Sequence, residues 1–466
     1  MSTNQKVLGP FVLAMISIAA IINLRGLPIM ASVGLNSVFF YILAALLFLI
    51  PSSLICAELA STFPEAGGIY LWVKKAFGEK TGFFTIWLEW INNVISYPAS
   101  LSFMSATLAY IFSPVLGQHK LFIFITTLIL LWSVTLFSCL GIKASSRLNI
   151  FGALLGTLIP GAIIIFLGFY WILSHHHSQI VFSFANIFPD FSKLNNLAFF
   201  AGVLSGYSGM QLIAFHAPNV KHPRRDYPKA IFMAVILILL ITLFASLAIA
   251  IVVPHNQLNL VSGLMEGFEN FFSAFHVAWT TPILAFLILF GGISTLSAWL
   301  LGPARGMSAA AKNGLFPKLF AKENKGSSPV NVLIMQAVMA SILSLVFLYL
   351  PNSDSAFWVL IDLSSQSTLL MYIFVFSAAI RLRYSEAQVT RPYKIPGGNV
   401  GLWIIAGAAI IACIVAIIIS FVPPTGIQTG ELWRYEGIII GSNVIYLSVP
   451  FVISYFMKKR GDVVLK

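Results

Sequence analysis

Residues 9–35 read GPFVLAMISIAAIINLRGLPIMASVGL, and they decide the fold. The stretch is long and apolar enough to cross ~30 Å of hydrocarbon as a helix. Its apolar half ends at Ile22, and Asn23, Arg25, Gly26 and Pro28 then arrive together. Proline removes a backbone donor and disfavours helix at the residue before it. The pattern predicts a spanning helix that loses its winding midway. A second stretch of this kind, LAFFAGVLSGYSGMQLIAFHAP at 197–218, is interrupted by Ser205, Gly206, Ser208 and Gly209.

Outward from these two, apolar runs of similar length recur to the end of the chain. They predict an all-α membrane protein with twelve spans, at about 7–34, 37–60, 83–112, 120–140, 148–173, 194–217, 229–253, 278–304, 330–350, 355–380, 400–422 and 437–457. The chain is 59% hydrophobic and only 9% charged, where a soluble domain would carry roughly a quarter charged residues. One membrane domain therefore fills it. Alternating strand-length segments are absent, which leaves helices as the only way to satisfy the backbone in lipid.

The net charge of +12 invites a nucleic-acid reading, and its distribution argues against one. Of the 27 Lys and Arg, all but Arg25, Lys120, Lys193 and Arg434 fall in one alternate set of loops and the two ends. Such asymmetry marks the cytoplasmic side, so the charge reports orientation, with both termini cytoplasmic. Cys56, Cys139 and Cys413 sit in apolar runs and read as small buried residues. The start of the chain carries no small-residue cleavage site, so no removable signal peptide is expected.

The two interrupted helices each open a block of five, about 7–173 and 194–380, with the spans at 400–422 and 437–457 left over. An odd number of helices per block requires the second block to be inverted. Broken helices at matching places of two inverted repeats point to the central site of a transporter. On this reading Ile22, Asn23, Leu24, Arg25 and Gly26 form one backbone cradle, and Ser205, Gly206, Tyr207, Ser208 and Gly209 the other. Free N–H groups suit a carboxylate and free carbonyls an ammonium. Arg25 adds a guanidinium that can fork onto a carboxylate; the competing reading places it near the outer interface, snorkelling. Asn92 and Asn93 can hydrogen-bond a solute or join helices.

Glu89 and Asp362 are buried acids and the candidates for carrying a proton, while Glu58 is expected to pair with a loop cation. Ser294, Thr295 and Ser297 offer hydroxyls to a sodium ion, with no carboxylate beside them in sequence. His175, His176 and His177 are adjacent and do not share a helical face, so no metal site is expected, and no cofactor motif occurs. His-Glu-x-x-His and Gly-x-Ser-x-Gly patterns are likewise missing, which weighs against a membrane enzyme.

Four segments carry a family resemblance: NLRGLPIMASVG at 23–34, AELASTFPEAGGIYLWVKKAFG at 57–78, SGMQLIAFHAPNVKHPRRDYPKA at 208–230 and SAWLLGPARGMSAAAKNGLFPKLFAKENKGSSPV at 297–330. The chain resembles the amino acid–polyamine–organocation transporters, and within them the glutamate/γ-aminobutyrate antiporters, along nearly its whole length. The resemblance implies first and sixth helices unwound around the substrate. It also implies exchange of one amino acid for a related amino acid or its decarboxylated amine across the inner membrane; the expected assembly is a monomer or homodimer.

Trp299 matches a gating aromatic of related antiporters, and Tyr207 and Tyr372 are further gate candidates. Family members commonly carry Glu in the sixth helix where this chain has Gln211, which cannot titrate. Only Met457 to Lys466 follow the last span, too few for the C-terminal plug of the glutamate/γ-aminobutyrate antiporter. His216 falls in the third segment, its role open. A proton- or sodium-coupled amino acid symporter is the alternative within this class, and a non-transporting amino acid sensor the alternative outside it.

Overall fold

The computed structural model describes residues 9–64, 68–139, 152, 154–192, 194–212, 220–255, 257–324, 328–424, 427 and 431–459. Among them the regular elements are helices. In chain order the first eight are α1 (Pro10–Ile21), α2 (Leu27–Ala31), α3 (Asn36–Thr62), α4 (Gly68–Phe77), α5 (Glu79–Phe112), α6 (Lys120–Cys139), α7 (Leu155–Leu173) and α8 (Phe199–Gly206). The rest are α9 (Pro223–Val252), α10 (Gly263–Ala274), α11 (Ala278–Lys312), α12 (Val330–Tyr349), α13 (Ser353–Ser385), α14 (Gly398–Ile419) and α15 (Leu432–Met457).

Ten of these, namely α3, α5, α6, α7, α9 and α11–α15, are long and apolar enough to cross a membrane. They coincide with ten of the expected spans. The expected first span is divided into α1 and α2, and of the sixth only α8 and a short turn at 210–212 are described. His216 and the basic loop at 141–147 lie outside the described residues.

Three boundaries depart from the sequence reading. Helix α9 starts at Pro223 rather than near 229, because proline tolerates the first helical turn and Asp226 accepts a hydrogen bond from the His222 amide, 3.0 Å away. Helices α4 and α10 occupy segments read as links. Both are amphipathic and too short to span; α4 buries Trp72 and Val73 and ends on Lys74 and Lys75.

Two spans contain a widened turn, in the middle of α3 at Ala45–Leu49 ahead of Pro51 and at the start of α7 at Leu154–Leu158 ahead of Pro160. A proline ring clashes with the carbonyl four residues back, and a wider turn relieves that clash.

Burial divides the helices into a centre and a rim. The most apolar windows of α13 and α5 are 83% and 78% buried, whereas that of α15 is 17% buried. Helix α5 packs between α11 and α13. The rim shows the surface that lipid would cover, including Leu121, Ile129, Phe166, Ile411 and Phe451. Helices α7 and α11 cross in backbone contact. A Cβ placed on Gly156 would stand 2.3 Å from the Gly291 Cα, so only glycine fits both positions.

At one end, the Glu58 carboxylate is gripped by Arg383 of α13, with Nε at 2.9 Å, and by the Ile395 amide at 2.8 Å. Arg391 completes the cluster at 3.4 Å. The cation expected beside Glu58 thus comes in part from a spanning helix and not from a loop alone.

Candidate functional site

Both breaks are visible in the backbone. Helix α1 stops at Ile21, and Ile22 (φ −65°, ψ 118°) and Asn23 (φ −130°, ψ 110°) are extended. The Asn23 side chain then accepts from the Arg25 amide at 3.1 Å, which starts a tight turn, Leu24–Gly26, leading into α2. The signal is a self-capping asparagine followed by Gly26 and Pro28. Helix α8 stops at Gly206, and the chain turns through Tyr207 and Ser208 to Gly209. Gly209 has φ +131°, a conformation side-chain-bearing residues avoid.

A cavity of about 200 Å³ lies between the breaks. Ile22, Asn23, Leu24, Arg25 and Gly26 line it from one side, and Ser205, Gly206, Tyr207 and Ser208 from the other. Asn92 and Asn93 of α5 and Trp299 of α11 complete the predicted residues in its wall. Several groups of the wall are held by hydrogen bonds. Tyr97 Oη donates to the Trp299 carbonyl at 3.1 Å, and Asn93 Nδ2 to the Glu89 carbonyl at 2.8 Å. Ser205 Oγ meets Ser365 Oγ at 2.6 Å, and Tyr207 Oη meets Thr242 Oγ1 at 3.2 Å.

Arg25 is the one charged residue in this wall among the described residues. Its Nη1 donates to the Ser96 carbonyl at 3.1 Å, and among the described residues no carboxylate pairs with it. Its guanidinium keeps donors to spare for an anion.

Gly209, Gln211 and Tyr372 are not in the wall; they stand behind it. The Gly209 amide donates to Gln211 Oε1 at 3.0 Å and to Tyr372 Oη at 3.2 Å, and Tyr372 Oη also donates to Gln211 Oε1. Gln211 Nε2 reaches Glu89 Oε1 at 3.4 Å. Glu89 is therefore one residue removed from the second break. Asp362 is on α13 beside Ile361, which lines the cavity, but its carboxylate is bonded to Tyr435 of α15.

The wall also contains polar groups that sequence reading missed: Ser96, Ser100, Thr157, Thr242, Ser364 and Thr368. Of the three hydroxyls weighed for sodium, Thr295 lines the cavity.

A helical membrane bundle with a polar hollow between two broken helices defines a multi-pass small-solute transporter. The amino acid permease family model matches residues 8–443, and the chain belongs to that family, within the amino acid–polyamine–organocation superfamily. It is 45% identical to an uncharacterized transporter of Legionella pneumophila, over 99% of each chain. It is 30% identical to the glutamate/gamma-aminobutyrate antiporter of Lactococcus lactis, over 98% of this chain and 92% of the relative. A probable agmatine/putrescine antiporter of Lactococcus lactis is 27% identical over 84% and 83%. The protein is thus an amino acid transporter of the membrane.

Proposed function

We propose that the protein is an antiporter that exchanges an amino acid for a related amino acid or its decarboxylated amine by alternating access. The observation that carries this reading is Arg25, unpaired with any carboxylate among the described residues, at the wall of a cavity between two backbone breaks. A solute carboxylate would meet the guanidinium, and the free peptide groups of the breaks would hold the ammonium. An amine product lacks the α-carboxylate, although γ-aminobutyrate keeps its other one, and would bind more weakly where the α-carboxylate is the group at Arg25, which suits its release. The relatives' names make glutamate and γ-aminobutyrate the first pair to try.

We place the cavity at the centre of a twelve-span bundle, two inverted five-helix repeats (about 7–173 and 194–380) followed by α14 and α15. Both termini face the cytoplasm of an inner membrane, in keeping with the one-sided basic loops. The cavity residues Ile22–Gly26, Asn92, Asn93, Ser205–Ser208 and Trp299 bind the solute. Gly209, Gln211 and Tyr372 fix the second break, and Glu89 is the acid placed to carry a coupled proton.

The test is uptake of labelled amino acid into proteoliposomes. Exchange requires uptake into vesicles preloaded with an amino acid and none into empty ones. Equal uptake into empty vesicles under a proton or sodium gradient would favour the symporter, and binding without flux the sensor.

A further inference from the structure

Asp362 is 1% exposed, on a helix whose neighbouring residues Ile361, Ser364 and Thr368 line the solute cavity. Its carboxylate is turned to α14 and α15. One oxygen, Oδ2, accepts from Tyr435 Oη at 2.9 Å and from Gln366 Nε2 at 3.3 Å. Behind these donors stands a chain of others. Gln366 Nε2 also donates to Ser420 Oγ at 2.7 Å, Asn443 Nδ2 donates to Gln366 Oε1 at 2.5 Å, and Tyr446 Oη to Asn443 Oδ1 at 2.5 Å. Trp358 Nε1 donates to Tyr435 Oη at 3.2 Å. The donors run towards one carboxylate oxygen. The other, Oδ1, is buried with no hydrogen-bond partner among the described residues.

Among the described residues no cation pairs with this acid. Most charged groups on the helices around α13 are engaged elsewhere, and Lys80 is exposed at the start of α5. Glu58 holds Arg383 and Arg391, Lys74 holds Glu79, and Glu89 meets Gln211. Asp354 accepts from the amides of Leu260 and Val261. Lys75 lies over Phe63, Arg381 over Phe77 and Arg434 over Trp433. Glu431 is exposed and Glu436 half-buried at the start of α15. Cys413 is buried on α14, and α8 has no ionisable side chain. The titratable groups nearest Asp362 are Tyr435, bonded to it directly, and Tyr446 at the far end of the donor chain, both neutral phenols near pH 7.

An ionised carboxylate in an apolar interior is costly unless a counter-charge stands beside it. Two remedies exist, a metal cation or a proton. A metal cation needs lone pairs turned towards it, and here Tyr435 and Gln366 turn hydrogens to the carboxylate. A proton on Oδ1 removes the charge and leaves every donor where it is. We infer that Asp362 binds a proton, at a site on α13 separate from the solute cavity, where α15 packs on that helix through Tyr435. The solute and the proton would then be read by the same helix at different side chains, whichever solute is carried.

Infrared difference spectroscopy on the purified full-length protein tests this without any transport assay. The wild type should show the carbonyl stretch of a protonated carboxylic acid at neutral pH, and Asp362→Asn should lack one such band while those of other buried acids remain. A spectrum in which Asp362→Asn loses no acid band would overturn the proposal. So would a rise in the thermal midpoint with sodium, relative to choline, that Asp362→Asn abolishes, since that marks a metal-ion site. Should Asp362→Asn fail to fold, Tyr435→Phe serves. With one donor fewer to the ionised form, its acid band should persist to higher pH than in the wild type. An unchanged band position in pH would count against the proton.

Discussion

The two breaks differ in what holds them. The first is tied by its own residue, Asn23 reaching two residues ahead, and its one long polar side chain, Arg25, is turned to the cavity and held by a single carbonyl. The second is tied by its own Gln211, two residues past Gly209, and is also strapped from behind by side chains on other helices, Tyr372 and, through Gln211, Glu89. Its own cavity-facing residues are uncharged: Ser205, Gly206, Tyr207 and Ser208. The difference assigns labour. On the proposed function, the first break would present a charge for recognition, and the second would present backbone held by Gln211 and Tyr372.

The largest effect is expected at the first break. Arg25→Ala should weaken binding of a carboxylate-bearing solute by about 1.5–3 kcal/mol, roughly ten- to hundredfold, and leave binding of an amine that has no carboxylate nearly unchanged. Isothermal titration with both ligands measures this. Equal losses for the two would erase the distinction between the breaks.

At the second break, Gly209→Ala forces a side chain into φ +131° and should cost about 1–2 kcal/mol. The cost should appear as a lower thermal midpoint that affects acid and amine solutes alike. A selective loss of one solute would give the second break a recognition role.

The smallest effect concerns α10, which packs on the outer half of the first broken helix, with Gly263 against Pro28. Burial pushes the Glu266 carboxyl up to about 7, against the Ser262 hydroxyl and Asn259 amide that favour its charge. The unfolded chain would release this proton near pH ~4.3. The folded protein therefore loses stability as pH rises between these two values and levels off above the higher. Glu266→Gln should lack this part of the decline in thermal midpoint with pH. If the decline persists unchanged, the acid does not brace that helix.

Both breaks were legible in the sequence because each gathers residues that a helix tolerates poorly, such as Asn23 before Gly26 and Pro28, or Gly206 and Gly209 in one short run. Arg25 and Trp299 were legible as rare residues in apolar surroundings. Much of the remaining wall was not. Ser96, Ser100, Thr242 and Thr368 each bond a carbonyl three or four residues back. Hydroxyls that do so are ordinary in membrane helices, so nothing marks the ones that also face a hollow. Gln211 and Tyr372 were found as members of the site, but their turn away from the cavity depends on where α13 lies, which no local pattern encodes. Helices α4 and α10 were missed because they are short and amphipathic and lie between stronger apolar signals.

The bare crossing of Gly156 on Gly291 sets a limit of another kind. Gly156 and Thr157 also border the cavity. Where two helices touch through peptide groups alone, no side chain must change rotamer for one to slide on the other, so the joint is a smooth bearing beside the solute. A single methyl there would act as a shim, prising α7 from α11 by about an ångström. The hollow would gain width at a point where a small solute needs a close fit.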